Sequence, residues 1–176
     1  MKNLKYPIGE FQKPEKITSK NINLWVKDIQ SLPSDLKKVV AKLSDAQLDT
    51  PYRPDGWTVR QVIHHLADSH INAYTRFKLA MTEDNPSIKP YEEALWAELE
   101  DGKNAPIALS ITLLTVLHKR WVIFLKSVDK KTWAQKSYFH PESKKTFPLS
   151  EIIGLYSWHG KHHLAQIQAL IERENW

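Results

Sequence analysis

Apolar residues recur every three or four positions along four long segments of the chain, a spacing that commits it to packed amphipathic helices. The first segment carries Ile22, Leu24, Trp25, Ile29, Leu32, Leu36, Val39, Val40 and Leu43 and predicts a helix over about 20–43. Proline lacks a backbone donor and clashes with the preceding turn, so Pro33 is expected to kink or split that helix, with Ser34 and Asp35 able to cap a second half. Thr58-Val-Arg-Gln61 reads as a capping box opening a second helix that reaches about residue 81. A third helix starts near Pro106 and ends near residue 126, and a fourth covers about 149–173. Residues 86–105 are expected to hold a loop and one short helix near 92–99, and residues 136–148 a loop. With only 5 glycines and few strand signals, the expectation is one all-α domain over residues 1–176. It is a four-helix bundle whose long connection between helices 2 and 3 permits a crossover. Pro7, Gly9 and Pro14 mark residues 1–18 as an extended N-terminal arm.

The chain has no cysteine, which excludes disulfide scaffolds, cysteine zinc sites, iron–sulfur ligation and cysteine nucleophiles. Its first residues lack the apolar run of a signal peptide. The most apolar stretch, 108–117, is interrupted by Ser110, Thr112 and Thr115 and falls short of the ~20 residues a membrane span needs. A cytoplasmic protein without a membrane partner is expected. The net charge of +5 is spread thinly, with Lys37-Lys38, Lys130-Lys131 and Lys144-Lys145 its densest spots, so no nucleic-acid partner is expected.

The histidines are distributed unevenly. His64, His65 and His70 lie in the second helix, His159, His162 and His163 in the fourth, and His118 and His140 stand apart. Leu149, Ile152, Tyr156, His159, His163, Gln166 and Leu170 step by three and four, the spacing of core-facing positions. An i,i+4 pair lies ~40° apart around a helix and ~6 Å apart along it, so His159 and His163 can converge on one metal ion. The stripe Val62, His65, Ser69, Asn72, Arg76 and Leu79 in the second helix is polar in its middle. If both stripes face inward, His65 joins the pair. Three imidazoles then leave a fourth position for water, as in catalytic zinc sites. His162 competes with His163 for this role, and His64 or His70 with His65. Ligation needs neutral imidazole, so binding is expected to weaken as pH falls through about 6.5.

No residue stands out as a general base. Asp68, Glu93 and Glu98 each fit equally a solvated carboxylate or a partner orienting a histidine. Arg76 fits an anchor for an anionic substrate group or a structural ion pair. Trp57, Trp96 and Trp158 fit a pocket lining or core packing. The segment His159-Gly-Lys-His-His163 lacks the glutamate of H-E-x-x-H metalloproteases, and no serine-hydrolase, phosphate-loop or dinucleotide motif is present.

Several blocks together resemble the DinB-like superfamily, specifically YfiT-type metal-dependent hydrolases. They are Tyr6-Pro-Ile-Gly-Glu10, Leu48-Asp-Thr-Pro-Tyr-Arg53, Gly56-Trp-Thr-Val-Arg-Gln61, His64-His-Leu-Ala-Asp-Ser-His70 and Arg76-Phe-Lys-Leu79. Pro90-Tyr-Glu92, Gly154-Leu-Tyr156, Trp158-His159, His162-His163 and Trp176 extend the match over nearly the whole chain. Where such sequences carry a further histidine between the final pair, this chain has Lys161. The resemblance implies a four-helix bundle, a homodimer, and one zinc or nickel ion held by His65, His159 and His163. It implies hydrolysis by metal-bound water. Superfamily relatives that use low-molecular-weight thiols such as bacillithiol leave an S-transferase, or a metal-binding protein without turnover, as the alternatives.

Overall fold

Three capping boxes set the helix starts in the first third of the chain. In the computed structural model, which describes residues 3–176, Thr18 caps α1 (Ser19–Val40), Ser44 caps α2 (Asp45–Leu48) and Thr58 caps α3 (Val59–Thr82). Each cap hydroxyl accepts from the amide three residues on, whose own side chain (Asn21, Gln47 or Gln61) accepts from the cap amide. The chain continues through α4 (Glu93–Trp96), α5 (Glu100–Asn104), α6 (Ile107–Ser127) and α7 (Lys130–Gln135). An antiparallel hairpin of β1 (Ser137–His140) and β2 (Lys145–Pro148), with Tyr138 opposite Phe147, leads into α8 (Leu149–Glu174).

The protein is a four-helix bundle of α1, α3, α6 and α8. α1 packs on α6 and α8, and α3 packs on the same two helices. The order around the bundle is therefore α1, α6, α3, α8, with α1 and α3 across a diagonal. Consecutive long helices are not all neighbours, so the topology is not a simple up-and-down meander. The connection from α3 to α6 makes the long link expected from sequence, but holds two short helices where one was expected. The region 136–148, expected as a loop, contains the hairpin. The expected arm is described from residue 3 onward, and Met1 and Lys2 lie outside the described residues.

Pro33 does not split α1, which runs unbroken from Ser19 to Val40 with Pro33 buried inside it. The expected cap at Ser34 does not form, and its hydroxyl donates to the Ser31 carbonyl instead. A proline at position 33 deprives the Ile29 carbonyl of its usual donor four residues on. A side chain from α6 replaces it: His118 Nδ1 donates to the Ile29 carbonyl. Tertiary structure thus satisfies the acceptor that local sequence leaves open.

The core has two apolar halves. One gathers Trp25, Ile29, Phe77, Trp121, Ile153 and Tyr156, the other Leu32, Leu36, Ile63, Leu66, Leu114 and Leu170. Between them in the sequence of each helix fall His70 of α3, His118 of α6, and His159 and His163 of α8, while His65 lies one residue before Leu66 of the second half. α6 is more apolar than the sequence reading allowed, with a mean hydropathy of 1.5 over a window long enough to cross a membrane. Here Leu114, His118, Trp121 and Leu125 of that helix are turned into the bundle.

α1 and α8 approach closely at Gly160, where an added Cβ would lie 2.5 Å from Leu32 Cδ2. Gly160→Val is expected to destabilise the fold by about 1–3 kcal/mol through overpacking. Urea denaturation measures this, and an unchanged midpoint would mean that the contact yields freely.

Candidate metal centre

Burying histidines at the join of two apolar halves obliges each ring nitrogen to find a partner. The partners sort the candidates. His64 Nδ1 lies 2.7 Å from Ser110 Oγ and its Nε2 3.0 Å from the Ala105 carbonyl, so both nitrogens are engaged away from the other histidines. His162 Nε2 accepts from Gln166 Nε2 at 3.0 Å, and its ring stacks on Trp158 with centroids 4.6 Å apart. His70 contacts His118 and His159.

His65, His159 and His163 remain, and their candidate ligand atoms all lie within 4.8 Å of one another. His65 Nε2 and His159 Nε2 are 3.2 Å apart. Tetrahedral zinc–nitrogen bonds of about 2.0–2.1 Å put ligand atoms about 3.3–3.4 Å apart, so this spacing fits two ligands of one small divalent ion. His163 Nδ1 donates to Gln166 Oε1 at 2.8 Å, which leaves its Nε2 lone pair free. Gln166 Nε2 also donates to the Lys5 carbonyl at 3.0 Å, tying the N-terminal arm to the site. The three residues can hold a metal ion, and a donor set of neutral imidazoles suits a divalent first-row transition metal.

Burial makes these rings weak bases. It lowers His65 to about 4, and it holds His159 and His163 well below the ordinary value, with neighbouring imidazoles adding to the effect. At neutral pH the rings are unprotonated and ready to ligate.

A cleft of about 280 Å³ opens onto His163 between Tyr6, Arg53, Trp57, Glu93 and Gln166. Trp57 also packs on His65 with ring centroids 4.7 Å apart. Trp158 lies against His162 with its indole bonded to the Gly9 carbonyl, and Trp96 pairs with Tyr91. Of the carboxylates, Glu98 accepts from Gln61 and Lys103, a structural use. Asp68 is half-buried, and desolvation followed by repulsion from Asp101 raises it to about 6. Glu93 lines the cleft.

Among the described residues Arg76 has no ion-pair partner. Its Nη2 donates to the Lys89 carbonyl at 3.2 Å, and its buried Nε has no partner among the described residues. It sits by Tyr156, whose ring packs 5.8 Å from His159, so it lies one side chain away from the histidine cluster. Sequence reasoning missed the roles of His118, Ser110 and Gln166. Only Gln166 carried a signal, as the seam position after His163.

A four-helix bundle with three convergent, buried histidines on two of its helices defines a candidate metalloprotein of the all-α class. Comparison with known proteins agrees and narrows the class. The DinB superfamily model matches residues 29–167. A Bacillus mycoides protein bearing the name "Putative metal-dependent hydrolase" is 53% identical over 176 residues, covering all of both chains. A Bacillus cereus protein of the same name is 51% identical over the same full length. The solved structure of YfiT from Bacillus subtilis, described as a probable metal-dependent hydrolase with an unusual four-helix bundle topology, superposes with a TM-score of 0.96. It is 45% identical, and 99% of each chain is covered. The chain belongs to the DinB superfamily and is of the YfiT type.

Three outcomes are expected. His65→Ala, His159→Ala or His163→Ala abolishes binding of about one zinc ion per chain, while His140→Ala does not, as titration calorimetry would measure. Because the folded imidazoles titrate below their unfolded value, the folded state binds fewer protons between about 6.5 and about 4. The stability of the metal-free protein is therefore full above 6.5 and falls as pH drops towards 4, measured by denaturation at a series of pH values. Metal binding likewise persists below the 6.5 expected from an unperturbed imidazole.

Proposed function

We propose that the chain is a metal-dependent hydrolase of a small substrate carrying an anionic group, with His65, His159 and His163 as the ligands of one divalent ion, zinc or nickel. The observation that carries this reading is the 3.2 Å approach of His65 Nε2 to His159 Nε2 beside a third imidazole whose Nε2 is free. A divalent ion held there supplies Lewis acidity and a water acidic enough to ionise near neutral pH. The protein's own groups would do the rest. Trp57 shields His65 from water. Glu93, at the cleft beside His163, is the carboxylate suited to accept a proton from the attacking water. Arg76 has a buried N–H without a partner and would bind the substrate's anionic end, since a buried donor left unsatisfied is costly without a ligand.

We also infer a homodimer. Leu109, Leu113 and Val116 are 64%, 44% and 55% exposed on the outer face of α6. Residues 107–117 carry no charge, so a second copy can pack there without repulsion. Sedimentation should give a dimer, and Val116→Glu should give a monomer.

The activity test is turnover of metal-loaded protein on ester, amide and lactam substrates, with and without low-molecular-weight thiols. Thiol-independent release of product is expected. Strictly thiol-dependent conjugation would replace the hydrolase reading with an S-transferase. Arg76→Ala should raise KM for anionic substrates by about 10–100-fold, the worth of a charge-assisted hydrogen bond, and leave KM for neutral ones nearly unchanged. An equal effect on both would leave Arg76 a structural residue.

A further inference from the structure

We propose that His70 and His118 are positioning residues for the candidate metal centre, forming with the Ile29 carbonyl a one-directional imidazole chain that fixes which nitrogen of His159 carries its proton. The inference rests on the metal-binding reading above but adds residues that take no part in ligation.

The chain starts at a fixed acceptor. A carbonyl oxygen can only accept, so His118 Nδ1, which contacts the Ile29 carbonyl, must carry a hydrogen. In a neutral ring His118 Nε2 is then an acceptor. His70 Nδ1 lies 2.8 Å from it and must donate. That makes His70 Nε2 an acceptor, and His159 Nδ1, 3.4 Å away, donates to it. His159 Nε2 is left with a lone pair, on the side where it faces His65 Nε2 at 3.2 Å. One backbone carbonyl on α1 therefore dictates the tautomer of a residue two imidazoles away on α8. The carbonyl is free to do so because residue 33 is proline and supplies no N–H to it.

The arrangement is a lock rather than a proton wire. Its far end is a carbonyl, which has no proton to give and none to take onward. Reversing all three tautomers would set a lone pair of His118 Nδ1 against the lone pairs of the Ile29 oxygen. His70 is fully buried and His118 1% exposed, so no water can substitute easily as donor or acceptor. Gln166 does the corresponding work for His163, accepting from its Nδ1. Both α8 histidines are thus pre-set to offer Nε2, by an amide in one case and by two imidazoles and a carbonyl in the other.

The test has two arms. In the first, ¹⁵N-histidine-labelled wild-type protein without metal is examined by long-range ¹H–¹⁵N correlation at neutral pH. His118, His70 and His159 should all carry hydrogen on Nδ1, and loading with zinc should leave those three assignments unchanged. A His159 ring protonated mainly on Nε2 in the metal-free protein would overturn the chain. This arm needs neither a variant nor metal affinity, so its failure is distinguishable from failure of the metal-binding reading.

In the second arm zinc affinity is measured by competition with a chromophoric chelator, alongside the visible spectrum of the cobalt-loaded protein. His118→Leu removes both the donor and the acceptor and should weaken binding by about 10–100-fold and alter the cobalt spectrum. His118→Gln keeps an N–H for Ile29 and an oxygen for His70, so it should restore affinity to within about threefold of wild type. His64→Leu, a buried histidine outside the chain, should lower stability without changing affinity. Equal affinity of His118→Leu and wild type, or equal losses in His118→Leu and His118→Gln, would overturn the positioning role.

Discussion

A layer of imidazoles between two apolar half-cores is the constraint around which this molecule is built. Unpaired polar atoms in such a place cost more than most single contacts contribute. Rings in the layer must therefore be answered by other protein groups, and the answers come from all four helices. α1 offers the Ile29 carbonyl, α6 offers Ser110 and His118, α3 offers His70, and α8 offers Gln166. The bundle order, with α3 and α1 each flanked by α6 and α8, is what brings these groups to one level.

Pro33 acquires its meaning from that layer. By helix propensity alone it is a defect, worth about 3 kcal/mol against the helix. In the folded molecule it frees the acceptor that His118 needs. The helix stays continuous, and the Ile29 carbonyl vacated by the missing N–H is met by the His118 side chain. Gln166 plays a similar double part, serving His163, His162 and the arm carbonyl of Lys5 at once. The N-terminal arm is therefore fastened to the edge of the histidine cluster and forms part of the cleft wall.

The chemistry follows from the same burial. Desolvation keeps the cluster neutral, and a neutral, convergent set of nitrogens is what a divalent ion selects. Arg76 stands beyond Tyr156 with one N–H unanswered, in contrast to Arg60, whose guanidinium is consumed by Asp45, Asp49 and the Ala105 carbonyl. Two arginines on one helix, Arg60 buried and Arg76 half-buried, thus have different standing: one braces the α3–α6 connection, the other keeps a buried N–H unanswered. Their sequence neighbourhoods do not distinguish them, because the difference lies in which loop folds over each.

Periodicity in the sequence by itself determined the four long helices, since a three-and-four apolar spacing has no other stable use in water. The capping box at Thr58 and the i,i+4 pair His159 and His163 were equally legible, because both depend on residues within one or two turns of each other. The tertiary structure alone decided which of eight histidines meet, that α1 and α3 lie on a diagonal, and that Pro33 sits inside an intact helix. It also decided that His118, isolated in the sequence, belongs to the histidine layer. Those outcomes depend on hydrogen bonds between residues some 40 to 90 positions apart, such as His70 to His118 and Ile29 to His118. No local pattern encodes such a bond: whether an imidazole ligates, relays or braces depends on what the opposite helix presents to its second nitrogen.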